Sequence, residues 1–288
     1  MQADFPHVGV LGFGTMGAGI AQLVAQSGRE VTVLETNQTR IDDGTAFLRR
    51  FLDGGVTRGK ITEADRDAIS QRIRGVTDVA DLEGVGLVVE AVTEQRDVKR
   101  GLFSKVAETA GPDTVLVTNT SALSVTDLAT AVPSPGRFAG LHFFNPAPVM
   151  KVIEVVRALQ TEDAVVERLV GFVEALGKDP VVVKDRPGFL VNKLLMPYLN
   201  DVVQAYDEEL ASAKDIDLAV RLGLGHKQGP LELLDMIGLD VHEHATTSAY
   251  EATLNPAFAP PPLLRQMVAA GRLGAKSGRG FRSTERSQ

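Results

Sequence analysis

Apolar residues fall first into short runs and later only into helical spacings, and the change from one regime to the other divides the chain. His7 to Leu11, Val31 to Glu35, Leu87 to Val92, Thr114 to Thr118, Phe138 to Phe144, Lys151 to Val156 and Val181 to Val183 read as buried strands. Between them Met16, Ile20, Leu23 and Val24 predict a helix stopping at Ser27-Gly28, and Val165, Val166, Leu169, Val170, Val173 and Leu176 predict another over 162–176. Thr45 to Arg74 reads as a charged helical hairpin. Strands alternating with helices imply an α/β doubly wound sheet. After Lys184 the breaker Asp185-Arg186-Pro187-Gly188 opens a stretch that is helical only: a long segment over 190–209 kinked at Pro197, one over 215–222, and more up to Arg272. The expected domains are therefore 1–184 and an all-α part, 185–288. The polar tail after Gly280 is expected to fray.

Chemistry-bearing residues cluster at the predicted strand ends, where ligands of open α/β sheets bind. The first strand feeds Gly12-Phe13-Gly14-Thr15-Met16-Gly17, a G-x-G-x-x-G turn followed by a helix, a second strand and the acid Glu35. Gly12 suits the tight turn, Gly14 the approach of backbone to a pyrophosphate, and Gly17 close packing of helix on strand. The first domain is thus expected to be Rossmann-like. Glu35 lies where a carboxylate accepts ribose hydroxyls and repels a 2′-phosphate, favouring NAD over NADP, although Arg40 works against that preference. Asn119-Thr120-Ser121 closes the fourth strand, His142 stands near the end of the fifth, and the sixth carries Glu154. A hydroxyl, an imidazole and a carboxylate can orient a substrate oxygen, take its proton and stabilise the charged imidazole. Read singly, Ser121 is a helix N-cap, His142 a satisfied core histidine, Glu154 an exposed strand residue and Asn192 a cap near the long helix. No G-x-S-x-G elbow surrounds Ser121, which argues against a Ser-His-Glu hydrolase. His242-Glu243-His244 are taken as surface residues, because histidines two apart on a helix point to different sides.

Composition narrows the partners. A net charge of −7 over 288 residues argues against bulk nucleic-acid or anionic-membrane binding. The absence of Cys removes disulfides and thiolate chemistry, no apolar run approaches a bilayer span, and no metal site is expected. With the first strand starting by His7, no targeting peptide is expected and the reading is cytoplasmic. Arg49, Arg50, Arg58, Lys60, Arg66, Arg72 and Arg74 make the hairpin locally basic, mostly as a solvated face, with a few candidates for gripping an anionic part of a substrate.

Gly12 to Gly19, Asn119-Thr120-Ser121, His142-Phe143-Phe144-Asn145-Pro146 and Arg186-Pro187-Gly188-Phe189 together resemble the signature blocks of the short-chain L-3-hydroxyacyl-CoA dehydrogenases, the 3-hydroxybutyryl-CoA dehydrogenase group included. The resemblance runs from Val8 to Gly280. It implies His142 as catalytic base paired with Glu154, and Ser121 and Asn192 on the substrate oxygen. It also implies that Glu94, Lys99, Asn119 and Asn145 join Gly12, Gly14, Thr15, Met16, Gly17 and Glu35 in holding NAD, and that Arg58 and Lys60 contact coenzyme A. The implied partners are an acyl-CoA substrate and a second copy of the chain, docked through the helical domain. Three departures stand out: Ala122 for a second Ser, His226-Lys227-Gln228-Gly229-Pro230 for H-P-M-G-P, and Gly280-Phe281-Arg282 for G-F-Y. The last two bear on substrate identity. The other readings are a dehydrogenase of a 3-hydroxy acid without coenzyme A, and a non-catalytic NAD-binding protein.

Overall fold

Strands buried on both faces need no alternation of polar and apolar residues, and the short apolar runs build such a sheet. The computed structural model describes residues 5–282. In chain order the first unit contains β1 (His7–Leu11), α1 (Thr15–Gln26), β2 (Glu30–Leu34), α2 (Gln38–Thr57), α3 (Glu63–Gln71), β3 (Ile73–Val76), β4 (Leu87–Glu90), α4 (Arg96–Thr109), β5 (Val115–Thr118), α5 (Val125–Ala129), β6 (Phe138–Phe143), β7 (Val152–Arg157), α6 (Asp163–Ala175) and β8 (Asp179–Lys184). The eight strands lie in the order β3-β2-β1-β4-β5-β6-β7-β8. All neighbours are parallel except β6 and β7. Order reverses between β1 and β4, so the crevice beyond their carboxyl ends is the expected ligand site.

Alternate residues of each strand serve opposite faces. Val8, Val10, Val89 and Val117 pack with α1 and α6, whereas Val88, Leu116 and Phe138 pack with Phe103 and Val106 of α4 and Leu128 of α5. Fully burying each such side chain stabilises by about 1.5–3 kcal/mol, so both faces contribute to holding the strand ends in place. Pro180 sits in β8, where an edge position spares it a ladder hydrogen bond.

One strand was not expected. The stretch read as helical to Arg74 ends at Gln71, and Ile73–Val76 forms the edge strand β3 beside β2. Four residues containing Arg74 and Gly75 carry no legible period. Gly75 is required by packing, since a Cβ there would stand 2.4 Å from the Ile41 side chain of α2.

The compact units divide between Phe189 and Leu190. The second contains α7 (Val191–Asp207), α8 (Ala213–Gly223), α9 (Pro230–Ile237), α10 (Leu239–Thr253) and α11 (Pro262–Ala269), with Leu199, Val203, Leu231, Leu234 and Leu264 in its core. Two buried aspartates organise it. Asp217 accepts from the Leu231 and Glu232 amides at the start of α9, at 2.8 and 3.2 Å, and from the Arg282 guanidinium at 2.8 Å. Asp235 accepts from the amides of Phe281 and Arg282. Burial pushes the Asp235 carboxyl above its usual range against the pull of those two amides. Gly229 and Gly280 are the residues that let the chain pass these carboxylates, because a Cβ would come within 2.3 Å of Asp217 and 1.9 Å of Asp235 respectively. Phe281 is buried and Arg282 is tied down on both backbone and side chain, so the fraying expected after Gly280 does not extend to them. Residues 283–288, the remainder of that tail, lie outside the described residues.

His242, read above as a surface residue, is buried, while His244 is exposed. Its Nε2 lies 3.1 Å from Asn200 Oδ1, and Asn200 Nδ2 donates to Thr246 Oγ1 and the carbonyl of Ala257. Burial lowers the His242 pKa to about 4, so folding favours the neutral ring. The unfolded chain binds a proton near pH 6.5, and the folded chain does not until about pH 4. This contribution is fully present above pH 6.5 and is lost as pH drops, the loss reaching about 3 kcal/mol once both states are protonated. Chemical denaturation of wild type and His242→Gln from pH 7 to 4.5 is expected to show a steeper loss of stability in wild type.

Candidate active site

The N-terminal turn has the geometry its spacing implies. Gly12 adopts φ +93°, a region costly for other residues, and its amide donates to the Leu34 carbonyl at 2.9 Å. A Cβ on Gly17 would stand 1.9 Å from the Gly12 carbonyl oxygen, so α1 can approach β1 only with glycine there. Gly14 has open space where a Cβ would project, and no side chain caps α1, leaving its first amides available to an anion. Glu35 is fixed beside them: Oε1 accepts from the Phe13 amide at 2.8 Å and Oε2 from the Thr36 amide at 2.9 Å. Phe13, Gly14, Thr15, Glu35 and Arg40 line one cleft of about 340 Å³. Bare helix amides for a pyrophosphate beside a carboxylate for ribose hydroxyls fit a dinucleotide.

The ends of β4 and β5 are joined by an ion cluster that is buried at Glu90 and Lys99 and exposed at Glu94. Lys99 Nζ, on α4, lies 2.8 and 2.9 Å from the two Glu90 oxygens and 3.0 Å from Glu94 Oε2. Glu90 and Lys99 are completely buried. Glu90 also accepts from the Thr118 hydroxyl at 2.6 Å and the Val92 amide at 2.7 Å. Burial pushes the Glu90 carboxyl up, against the pull of the Lys99 ammonium and these hydrogen bonds. For Glu94 burial acts in the same sense but is outweighed by Lys99, the Thr120 hydroxyl and the Ser121 amide, which hold its carboxyl below the usual range. Glu94 Oε1 accepts from Thr120 Oγ1 and from the Ser121 amide at 3.1 Å, so the cluster fixes the turn that carries Ser121. Ser121 itself is exposed and is not a helix cap; Ser124 caps α5. Glu90 was missed by the sequence reading, although a carboxylate inside the run Leu87-Val88-Val89-Glu90-Ala91-Val92 was the available signal.

His142 and Glu154 meet because β6 and β7 run antiparallel with these residues directly opposite. His142 Nδ1 lies 2.6 Å from Glu154 Oε2. A carboxylate only accepts, so Nδ1 is the donor in this contact, and in a neutral ring that tautomer leaves the lone pair on Nε2. Glu154 is completely buried rather than an exposed strand residue, and His142 is 6% exposed, its ring 4.6 Å from that of Phe144 and 5.5 Å from that of Phe189, centroid to centroid. Asn119 Oδ1 accepts from the Phe143 amide at 2.9 Å, joining the end of β5 to the end of β6.

Asn145 is exposed on the loop after β6, preceding a cis peptide to Pro146. Thr15 is exposed and Met16 half-buried in the first turn of α1. Arg58, the C-cap of α2, and Lys60 are exposed and make no ion pair among the described residues. Asn192 belongs to the second unit, in the first turn of α7. Arg282 spends its guanidinium on Asp217.

A glycine turn shaped for a dinucleotide, on the same sheet edge as a histidine held by a buried carboxylate, defines a nicotinamide-linked dehydrogenase. Comparison with known proteins agrees. Residues 7–186 match the model of the 3-hydroxyacyl-CoA dehydrogenase NAD binding domain, and residues 188–284 match that of the 3-hydroxyacyl-CoA dehydrogenase C-terminal domain. A 3-hydroxybutyryl-CoA dehydrogenase of Mycobacterium tuberculosis is 43% identical over 283 residues, 98% of this chain and 99% of that protein. The 3-hydroxyadipyl-CoA dehydrogenase of Escherichia coli is 41% identical over 281 residues, 97% of this chain and 59% of that protein. The crystal structure of (S)-3-hydroxybutyryl-CoA dehydrogenase from Ralstonia eutropha matches with a TM-score of 0.93 at 40% identity, covering 96% of this chain and 98% of that one. The chain belongs to the 3-hydroxyacyl-CoA dehydrogenase family, and its cofactor is NAD.

Proposed function

We propose that the protein interconverts a short-chain L-3-hydroxyacyl-CoA and its 3-ketoacyl-CoA, with His142 as general base and Glu154 as its partner. The observation that carries this reading is the 2.6 Å contact between His142 Nδ1 and Glu154, which leaves Nε2 free to take a proton. NAD, held at the glycine turn and Glu35, would supply the hydride acceptor for carbon 3. His142 Nε2 removes the proton of the 3-hydroxyl as the ketone forms, and Glu154 stabilises the imidazolium. In reduction the imidazolium returns that proton to the ketone oxygen. The Ser121 hydroxyl donates to the substrate oxygen from a turn that Glu94 holds in place. The roles of Asn192, on the substrate oxygen, and of Glu94, Lys99, Asn119 and Asn145, on NAD, rest on the family resemblance. Arg58 and Lys60, exposed and without ion pairs, suit the phosphates of coenzyme A.

The working assembly is proposed to be a homodimer formed through the helical unit, and the compartment the cytoplasm. No helix among the described residues is long and apolar enough to cross a membrane. Because Glu35 is the group proposed to take the ribose hydroxyls, Glu35→Ala is expected to raise the NADH Kd at least tenfold, as loss of a charge-assisted hydrogen bond of about 1.5–3 kcal/mol would, and to narrow the preference over NADPH. Fluorescence titration with both nucleotides checks it. The function itself is tested by following NADH consumption with acetoacetyl-CoA against free acetoacetate. Turnover that needs the thioester supports the reading; equal turnover of the free acid replaces it with a dehydrogenase of unesterified 3-hydroxy acids.

A further inference from the structure

Shortly after β8 the chain turns through two successive left-handed residues, Gly188 at φ +76° and Phe189 at φ +49°. Glycine takes that conformation freely, whereas a bulky side chain in it is rare and persists only where its surroundings hold it. Glu209 and Leu254, the other non-glycine residues with positive φ among the described ones, are exposed and end helices, where such a residue is an ordinary cap. Phe189 ends no helix and is 5% exposed. The turn is fastened at its base. The Phe189 amide donates to the Arg186 carbonyl at 2.8 Å, and Asp185 accepts from the Ser124 hydroxyl at 2.9 Å and the Thr126 amide at 2.7 Å.

What this turn delivers is an aromatic ring beside His142. His142 stands on the same face of β6 as Phe138, and Phe189 belongs with Phe138, Val125 and Val156 to the core cluster of that face. The Phe189 ring centroid lies 5.5 Å from that of the imidazole with the planes at 61°, and the Phe144 centroid lies 4.6 Å away with the planes at 53°. The contact with Glu154 fixes one atom, Nδ1, but not the plane of the ring, because the terminal torsion of histidine is soft. A ring held at one atom can pivot, and pivoting displaces Nε2 on its other side. Two aromatic neighbours remove that freedom.

We infer that Phe189 is a positioning residue for the proton transfer: its ring limits the pivot of His142, so that Nε2 is held in one direction while Nδ1 stays on Glu154. The inference rests on His142 as general base, and it gives the Arg186-Pro187-Gly188-Phe189 block a role in the chemistry beyond packing. A core residue alone would be replaceable by another apolar side chain; a positioning ring is not.

The test is Phe189→Leu, which keeps an apolar side chain but removes the ring, measured beside wild type and His142→Ala for reduction of acetoacetyl-CoA. NADH Kd and the downfield proton resonance of His142 Nδ1–H, identified by its loss in His142→Ala, are followed on the same samples. Phe189→Leu is expected to lower kcat about thirtyfold, inside the roughly hundredfold that a small misplacement of a reacting group costs, with KM and NADH Kd within about twofold of wild type and the resonance broadened by exchange. Phe189→Met takes its place if the leucine variant does not fold; failure of both to fold makes Phe189 a packing residue and overturns the inference. A wild-type kcat, an unchanged resonance, or a lower kcat accompanied by weaker NADH binding also overturns it and leaves the base assignment standing. Full activity of His142→Ala overturns the base assignment, and the inference with it.

Discussion

His142→Ala is expected to lower kcat for reduction of a 3-ketoacyl thioester by about a thousandfold, within the range that a positioned general acid or base contributes, while NADH binds within twofold of wild type. His142 lies on β6, outside the glycine turn and Glu35, so cofactor binding and proton transfer should separate. Glu154→Gln is expected to cost less, about a hundredfold. The ring keeps its place between Phe144 and Phe189, but the imidazolium formed in the reaction loses its anionic partner. If Glu154→Gln were as fast as wild type, the 2.6 Å contact would serve packing alone.

Lys99→Met is expected to destabilise the first unit by about 3–5 kcal/mol, because removing one partner of the buried Lys99–Glu90 pair strands the other. Glu90, completely buried, would keep only Thr118 and the Val92 amide as donors, and Glu94 would lose its countercharge. The melting temperature should fall by on the order of 10 °C. Pairing the substitution with Glu90→Gln should restore part of the loss, since no uncompensated charge then remains at that position. The double variant should also be less active than its stability suggests, because Glu94 no longer holds the Thr120–Ser121 turn under the pull of Lys99. Thermal denaturation and kcat measured on the same samples decide both points. A single variant as stable as wild type would mean that the cluster is solvated in solution.

The βαβ unit was legible because each requirement is local: Gly12 and Gly17 answer to a turn and a helix contact within a few residues. The proposed catalytic pair was legible from its own residues only as types near strand ends, its pairing being implied by the family resemblance. Its geometry depends on β7 pairing antiparallel with β6, so that Glu154 falls opposite His142, and pairing direction has no signature in either strand. β3 was lost in the hairpin because an edge strand of four residues, one of them Arg and one Gly, shows no period. His242 was misread because spacing along a helix says which residues share a face and not which face is buried; Asn200, far away in sequence, decides it. The Glu90–Lys99–Glu94 cluster likewise joins a strand, a helix and a loop, and its members look like ordinary surface charges when read singly.

Hydride and proton exchange at carbon 3 of an acyl-CoA is proposed to require His142. Deuterium placed on the transferable C4 position of NADH and followed into the product formed from acetoacetyl-CoA tests it most directly. One deuterium is expected on carbon 3 of L-3-hydroxybutyryl-CoA with wild type, and about a thousandfold slower appearance with His142→Ala that still binds NADH. Product labelled at any other carbon, or labelled equally fast by the variant, would contradict it.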